Sequence, residues 1–211
     1  LGERFLILGG SVANYITTPD SVGTSVTGDI DIRLDVTLDY WRDVRTDLAG
    51  KYGAAGQRSW AVELDTDGTI RFTWSADGTS IFQVSSLVPV PWPQRNRLTL
   101  RVTLDVNNGL GGNTVAFYYS TDPGVDGAWT QLGDADVTTS GITSIFNSTS
   151  ATVFGAVNSG SVGVQPGRVH AGSVRSGIGG TVVASPDVRP VAAFSASFSD
   201  GTNTWTVGGA S

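Results

Sequence analysis

The 211 residues carry 13 Lys and Arg against 19 Asp and Glu, a formal charge of −6. No basic run is present, which argues against a nucleic-acid partner, because phosphate binding needs clustered positive charge. The absence of Cys excludes disulfides and thiolate metal sites, and no apolar stretch approaches the roughly 18 residues of a spanning helix, so no membrane insertion is expected.

The 28 Gly and the charged fraction of only 15% point to a chain of many tight turns, and the length suits a single all-β domain spanning 1–211. The chain contains no Met and begins at Leu1, as expected of a processed product or a piece of a longer polypeptide. Phe5 to Leu8 is too short for the core of a signal peptide. From Asp29 to Leu38 polar and apolar residues alternate without a break, which predicts a half-buried strand with Ile30, Ile32, Leu34, Val36 and Leu38 inward. Asp29, Asp31, Arg33 and Asp35 then face solvent. The run Arg97 to Val106 is its twin, with Arg97, Arg101 and Asp105 outward. If the two are neighbours, opposite charges pair across them for roughly 0.2–1 kcal/mol each. Tyr40 to Ala49 could form a short turn of helix.

Ser59 to Ser86 predicts a three-stranded meander. A two-residue Asp67-Gly68 loop would set Leu64 opposite Arg71, core against solvent. A three-residue loop Thr66-Asp67-Gly68 sets Leu64 opposite Ile70, Val62 opposite Phe72 and Trp60 opposite Trp74, with Glu63 facing Arg71 outside. Burial decides register, so the longer loop is expected, with Gly68 left-handed. The same arithmetic at Ala76-Asp77-Gly78 sets Phe72 opposite Phe82 and Ile70 opposite Val84. Ser86 to Arg95, with Pro89, Pro91 and Pro93, cannot be a central strand. Val106 to Asn113 and Val157 to Gly167 are connections. Gly167 to Val174 is strand-like, with His170 facing solvent, and Ser185 to Pro190 crosses between sheets. At the end, a two-residue Asp200-Gly201 loop sets Ala196 opposite Trp205 and Phe194 opposite Val207, a primed turn closing a core hairpin.

The blocks Asn14 to Ser21, Thr27 to Ile32, Trp60 to Gly68, Leu104 to Gly109 and Trp129 to Leu132 together resemble the concanavalin A-like, laminin-G-like jelly rolls. The modules in minor tail proteins of bacteriophages that infect actinobacteria are the most similar, and Phe198 to Val207 looks like their closing hairpin. The resemblance runs as spaced blocks from about Asn14 to Val207, and none of them is a catalytic signature. It implies an all-β, antiparallel two-sheet jelly-roll sandwich, displayed on a virion tail or a similar extracellular assembly. Partners would be other virion tail proteins and host cell-wall glycans, bound on the concave sheet or at the loop rim. Alternatively the domain is a purely architectural spacer or decoration contacting other virion proteins. Such tail proteins are often symmetric oligomers, but the chain shows no heptad, so a homo-oligomer is left open.

Glycosidases of this fold carry spaced acidic residues on one strand, which directs attention to Glu63, Asp65 and Asp67. Alternate residues on a strand face are roughly 6.5–7 Å apart, so spacing alone allows catalysis. Asp67, however, falls in the turn, Glu63 faces Arg71, and the family's catalytic pattern has a Glu where Asp67 stands. No catalytic residue is assigned and the chain reads as non-enzymatic. Asp105, Asn107 and Asn108 before Gly109 could offer oxygens to Ca²⁺, which takes six to eight, although Asx residues before Gly commonly cap their own turn. Trp92, Tyr118 and Trp129 are the candidate ligand-binding aromatics, able to stack on sugar rings if exposed, with Trp41 a further rim aromatic. With a single His no multi-histidine zinc site exists. Gly177 to Gly180 is no phosphate cradle, because no helix follows it.

Overall fold

The computed structural model describes residues 5–9, 14–91, 93–157, 166–192 and 195–208. Among them are sixteen strands and no helix: β1 (Leu6–Gly9), β2 (Ile16–Thr18), β3 (Ile30–Leu38), β4 (Thr46–Tyr52), β5 (Arg58–Leu64), β6 (Ile70–Trp74), β7 (Phe82–Ser85), β8 (Arg97–Asp105), β9 (Thr114–Ser120), β10 (Thr130–Gln131), β11 (Asp136–Val137), β12 (Thr152–Phe154), β13 (Pro166–Ser176), β14 (Thr181–Ala184), β15 (Ser197–Ser199) and β16 (Thr204–Val207). They form two antiparallel eight-stranded sheets. The first has the order β1-β13-β3-β8-β9-β10, with β11 also on β9 and β14 also on β13; the second has the order β15-β16-β2-β12-β4-β5-β6-β7. This is a jelly-roll sandwich. The helical turn expected over Tyr40 to Ala49 is instead bends followed by β4, whose Thr46 to Leu48 are buried in the second sheet.

The alternating runs build the core. Ile30, Ile32, Leu34, Val36 and Leu38 of β3 and Leu98, Leu100, Val102 and Leu104 of β8 are each at most 1% exposed, facing Trp60, Val62, Leu64, Ile70, Phe72 and Trp74 of the other sheet. Each such side chain contributes on the order of 1.5–3 kcal/mol by leaving water. β3 and β8 are neighbours as expected, with Ile32 opposite Val102.

The first hairpin of the meander has the predicted register: Leu64 opposite Ile70, Val62 opposite Phe72, Trp60 opposite Trp74 and Glu63 opposite Arg71. Gly68 has φ of 85°. The second hairpin is two residues off the expectation, with Trp74 opposite Phe82 and Phe72 opposite Val84. The cause is the loop 75–81, held by Asp77, which accepts the N–H groups of Thr79 and Ser80 at 2.7 Å each. The Gly78 carbonyl meanwhile accepts N–H bonds from Gly56 and Arg58. The longer loop also lets the Trp74 and Phe82 rings stack at 5.2 Å.

The last hairpin is shifted the same way: Phe198 opposes Trp205 and Ser197 opposes Thr206. Its two-residue turn is Gly201-Thr202, closed by Asp200 N–H donating to Asn203 O, with Gly201 at φ 94°, so the turn is primed but one residue later than predicted. The Asp200 carboxylate fixes it by accepting from Thr202 N, Asn203 N and Trp205 Nε1. Phe194 lies outside the described residues. Trp205 is fully buried, edge-on to Phe154 at 5.7 Å, with Phe198 and Val207 partly buried beside it, whereas Ala196, expected inward, is exposed, so the hairpin contributes to the core chiefly through Trp205. Ser185 to Pro190 does not itself cross between the sheets as expected: Asp187 bridges Ala171, Gly172 N–H donates to Pro186 O and Val188 N–H to His170 O, so the segment stays against β13 on the first sheet.

Candidate functional site

The outer face of the first sheet overturns one expectation. Asp31 and Asp35 are fully buried and Arg33 is 6% exposed, so the charges of β3 do not face solvent. Register sets Arg33 opposite Arg101, and the opposite charges meet diagonally. Asp31 accepts Nε and Nη2 of both Arg33 and Arg101 at 2.9–3.1 Å, and Asp35 does the same for Arg97 at 2.6–2.7 Å. Two loops close over them. Gly124 N–H donates to Asp35, and Gly179 N–H in the Gly177 to Gly180 turn donates to Asp31. The glycine run thus cradles an internal carboxylate. Burial pushes Asp31 up, but the bonds from Arg33, Arg101 and Gly179 outweigh it and hold the group below 3.8. His170 likewise is buried, at 4% exposure, not on a wet face; it sits at a bulge of β13, its Nε2 bonded to Thr37 Oγ1 at 2.9 Å.

Two of the candidate aromatics converge here. The Arg101 guanidinium lies 5.1 Å from the Tyr118 ring centre and 5.7 Å from that of Trp129, and Arg33 lies 5.6 Å from Trp129. Both rings are half-buried and spend a face on arginine. Trp92 lies outside the described residues. Trp41 is core at 1% exposure. In the candidate calcium loop, Asp105 accepts Asn107 N–H and the Asn108 oxygen accepts the N–H groups of Leu110 and Gly112. The Asn108 amide nitrogen donates to Asn113 O, Thr114 Oγ1 and Thr138 O, so this side chain ties the loop together. No group of three or more His, Asp or Glu that could hold a metal occurs among the described residues.

The outer face of the second sheet holds a cavity of about 240 Å³ lined by Arg45, Asp47, Tyr52, Glu63, Thr73, Ile81 and Gln83, with Gly53, Ala61 and Val157. Its floor is low because Gly50 and Ala61 are paired on β4 and β5, where larger residues would fill the space. A bulge at Leu48 sends that side chain into the core and leaves Asp47 outward, directly opposite Glu63. Glu63 accepts hydrogen bonds from Arg45 and, at 3.2 Å, from Thr73 Oγ1, which in turn accepts Gln83 Nε2 at 3.2 Å. Arg71, opposite Glu63 in register, turns away to pair with Asp65. Asp67 stays in the turn, bonded to Thr69. Burial, then the hydrogen bond to Glu63, pushes the Asp47 carboxyl up to about 7. At the other end Tyr52, its phenol raised by burial, forms a wall backed by Arg58 at 5.8 Å. Asp47 and Tyr52 carried no sequence signal, because Gly50 and Lys51 break the alternation of β4; Glu63 was legible only as one of a row of acids.

No protein-family model and no curated protein sequence matches the chain. Solved structures do share its fold. Domains LG4-5 of the mouse laminin α1 chain superpose with a TM-score of 0.56 at 14% identity, covering 90% of this chain and 48% of theirs. The botulinum neurotoxin serotype G binding domain gives 0.52 at 11% identity, covering 76% and 36%. The NanB sialidase of Streptococcus pneumoniae gives 0.51 at 14%, covering 83% and 26%. The chain thus spans about half or less of each of these three. At such identities the likeness is one of architecture, and the domain has the laminin-G-like jelly-roll fold.

Proposed function

We propose that the domain is a non-catalytic attachment module of a bacteriophage tail, extracellular on the virion, which binds a sugar of the host cell wall in the Asp47/Glu63 cleft. The cleft carries this reading. It is the size of one sugar ring and combines carboxylate acceptors, the Thr73 hydroxyl and the Gln83 amide with an aromatic wall at Tyr52 and an apolar one at Ile81. A few placed polar groups beside apolar walls are what a ring hydroxyl and a ring face each need. The placement on a phage tail is supported by the residue blocks that resemble minor tail modules. The reading as non-catalytic is supported by Glu63, whose carboxylate is taken up by Arg45 and Thr73, and by the lack of a catalytic signature in the resembling blocks.

The test is a binding screen of the domain against cell-wall polymers and glycan arrays, with Tyr52→Ala and Trp129→Ala variants. Binding lost in Tyr52→Ala and kept in Trp129→Ala is expected. The reverse pattern moves the site to the arginine-backed aromatics of the first sheet. A purely architectural role, with other virion proteins as partners, has one observation in its favour: Phe82 of the edge strand β7 and Ile81, Leu87 and Val88 flanking it are 41–71% exposed. β7 is uncharged and free of proline, lacking the usual guards of a sheet edge. Absence of binding to every polymer would favour that role.

A further inference from the structure

The cleft contains a carboxylic acid that the fold leaves without a donor. Asp47 is 3% exposed, yet it lines the cavity. Among the described residues no N–H or hydroxyl bonds to it, and the group directly opposite it on β5 is Glu63. Glu63 is already the acceptor for Arg45 and Thr73, so of the two carboxyls it is Asp47 that takes a proton. The charged and titratable groups facing it are few. Glu63 comes from β5 and Arg45 from the segment before β4, its side chain 52% exposed. Tyr52 stands at the far end, and Arg71 on β6 is engaged by Asp65. With both acids ionised the cleft would hold two negative charges against one guanidinium, a deficit of one positive charge. A proton on Asp47 offsets that deficit, and it is the component that a ligand can replace.

We infer that the cleft selects a sugar bearing a protonated primary amine, an unacetylated hexosamine, whose ammonium pairs with Asp47 and displaces its proton. This rests on the sugar-binding reading above. The exchange balances: the Asp47 carboxylic acid and the ligand ammonium give a carboxylate–ammonium pair and one proton released to solvent, with no covalent bond to carbon made or broken. An N-acetyl group is neutral, forms no ion pair and leaves the proton in place. A charge-assisted bond to a buried carboxylate discriminates between the two by roughly tenfold or more.

The experiment is isothermal titration of the domain with a glucosamine trisaccharide and with its fully N-acetylated counterpart. It is run near pH 6, where a carboxyl with pKa of about 7 is still mostly protonated, in two buffers of different protonation enthalpy. The amine form is expected to bind roughly tenfold or more tightly and to release close to one proton. In Asp47→Asn, a neutral isostere, both the preference and the proton release should vanish while circular dichroism is unchanged. Equal or tighter binding of the acetylated sugar, or binding of the amine without proton release, overturns this inference and leaves the cleft as a neutral-sugar site. If neither sugar binds, and no wall polymer binds in the screen, the sugar reading and this inference fall together.

Discussion

Gly172 lies on the inner face of β13, where the two sheets approach over Phe154. A methyl group added there would stand 2.6 Å from Phe154 Cδ1 and 2.8 Å from Cζ, and nearer still to Cε1. Ordinary carbon contacts lie at about 3.5–4.0 Å, so the ring would have to retreat by about 1 Å. It has nowhere to go: Phe154 is fully buried and is held edge-on by Trp205, also fully buried, at 5.7 Å. Gly172→Ala is therefore an overpacking change in a rigid layer, at the upper end of the usual range, about 3 kcal/mol. For a chain of this length that lowers Tm by about 6–12 °C. Urea unfolding of Gly172→Ala, Phe154→Leu and the double variant checks the cause, since the smaller side chain should make room for the methyl. The double variant should be more stable than the sum of the singles by about 1 kcal/mol or more. A Gly172→Ala variant within about 0.5 kcal/mol of the parent, or strictly additive costs, would show that the sheet spacing is not set by this ring against this glycine.

Three further outcomes are expected. Gly68→Val should destabilise the fold by on the order of 2–3 kcal/mol in urea melts, because a β-branched residue resists φ of 85° and its Cβ would meet Arg42 Cγ at 2.8 Å and Trp41 O at 2.9 Å. Asp31→Asn takes the shared carboxylate from the buried Arg33, which keeps Asp126, and from the partly buried Arg101 opposite it, and should cost about 3 kcal/mol. Because the Asp31 carboxyl is held below 3.8 in the fold, its contribution is present above that value and is lost as pH falls through its folded pKa, so acid unfolding of this variant should lack that component. Asp47 has the opposite sign. Held up to about 7 against an ordinary 3.8, it binds more protons folded than unfolded in that window, so stability should fall as pH rises through it. Asp47→Asn should flatten that slope in urea midpoints taken from about pH 4 to about pH 8; an unchanged slope would assign it to another group.

What the sequence determined by itself was parity. Alternation in Ile30 to Leu38, Leu98 to Leu104 and Trp60 to Trp74 separates core from outer face. At the Thr66-Asp67-Gly68 loop the choice lay between registers one residue apart, which burial distinguishes at once. At the next hairpin and the last one, the competing registers differ by two residues and bury the same face. Alternation is blind to that difference, and the carboxylates of Asp77 and Asp200 decided it by capturing loop N–H groups. The outer face of β3 reads as solvated because a strand's own pattern does not show what lies above it. Only the tertiary fold brings the loops around Gly124 and Gly179 down onto Asp35 and Asp31. The cleft was hidden for the same reason: Asp47 and Glu63, sixteen positions apart, become neighbours through the pairing of β4 with β5, and a bulge at Leu48 aims one of them outward. A local pattern fixes which way a side chain points, but its charge state depends on partners that the chain's path alone delivers.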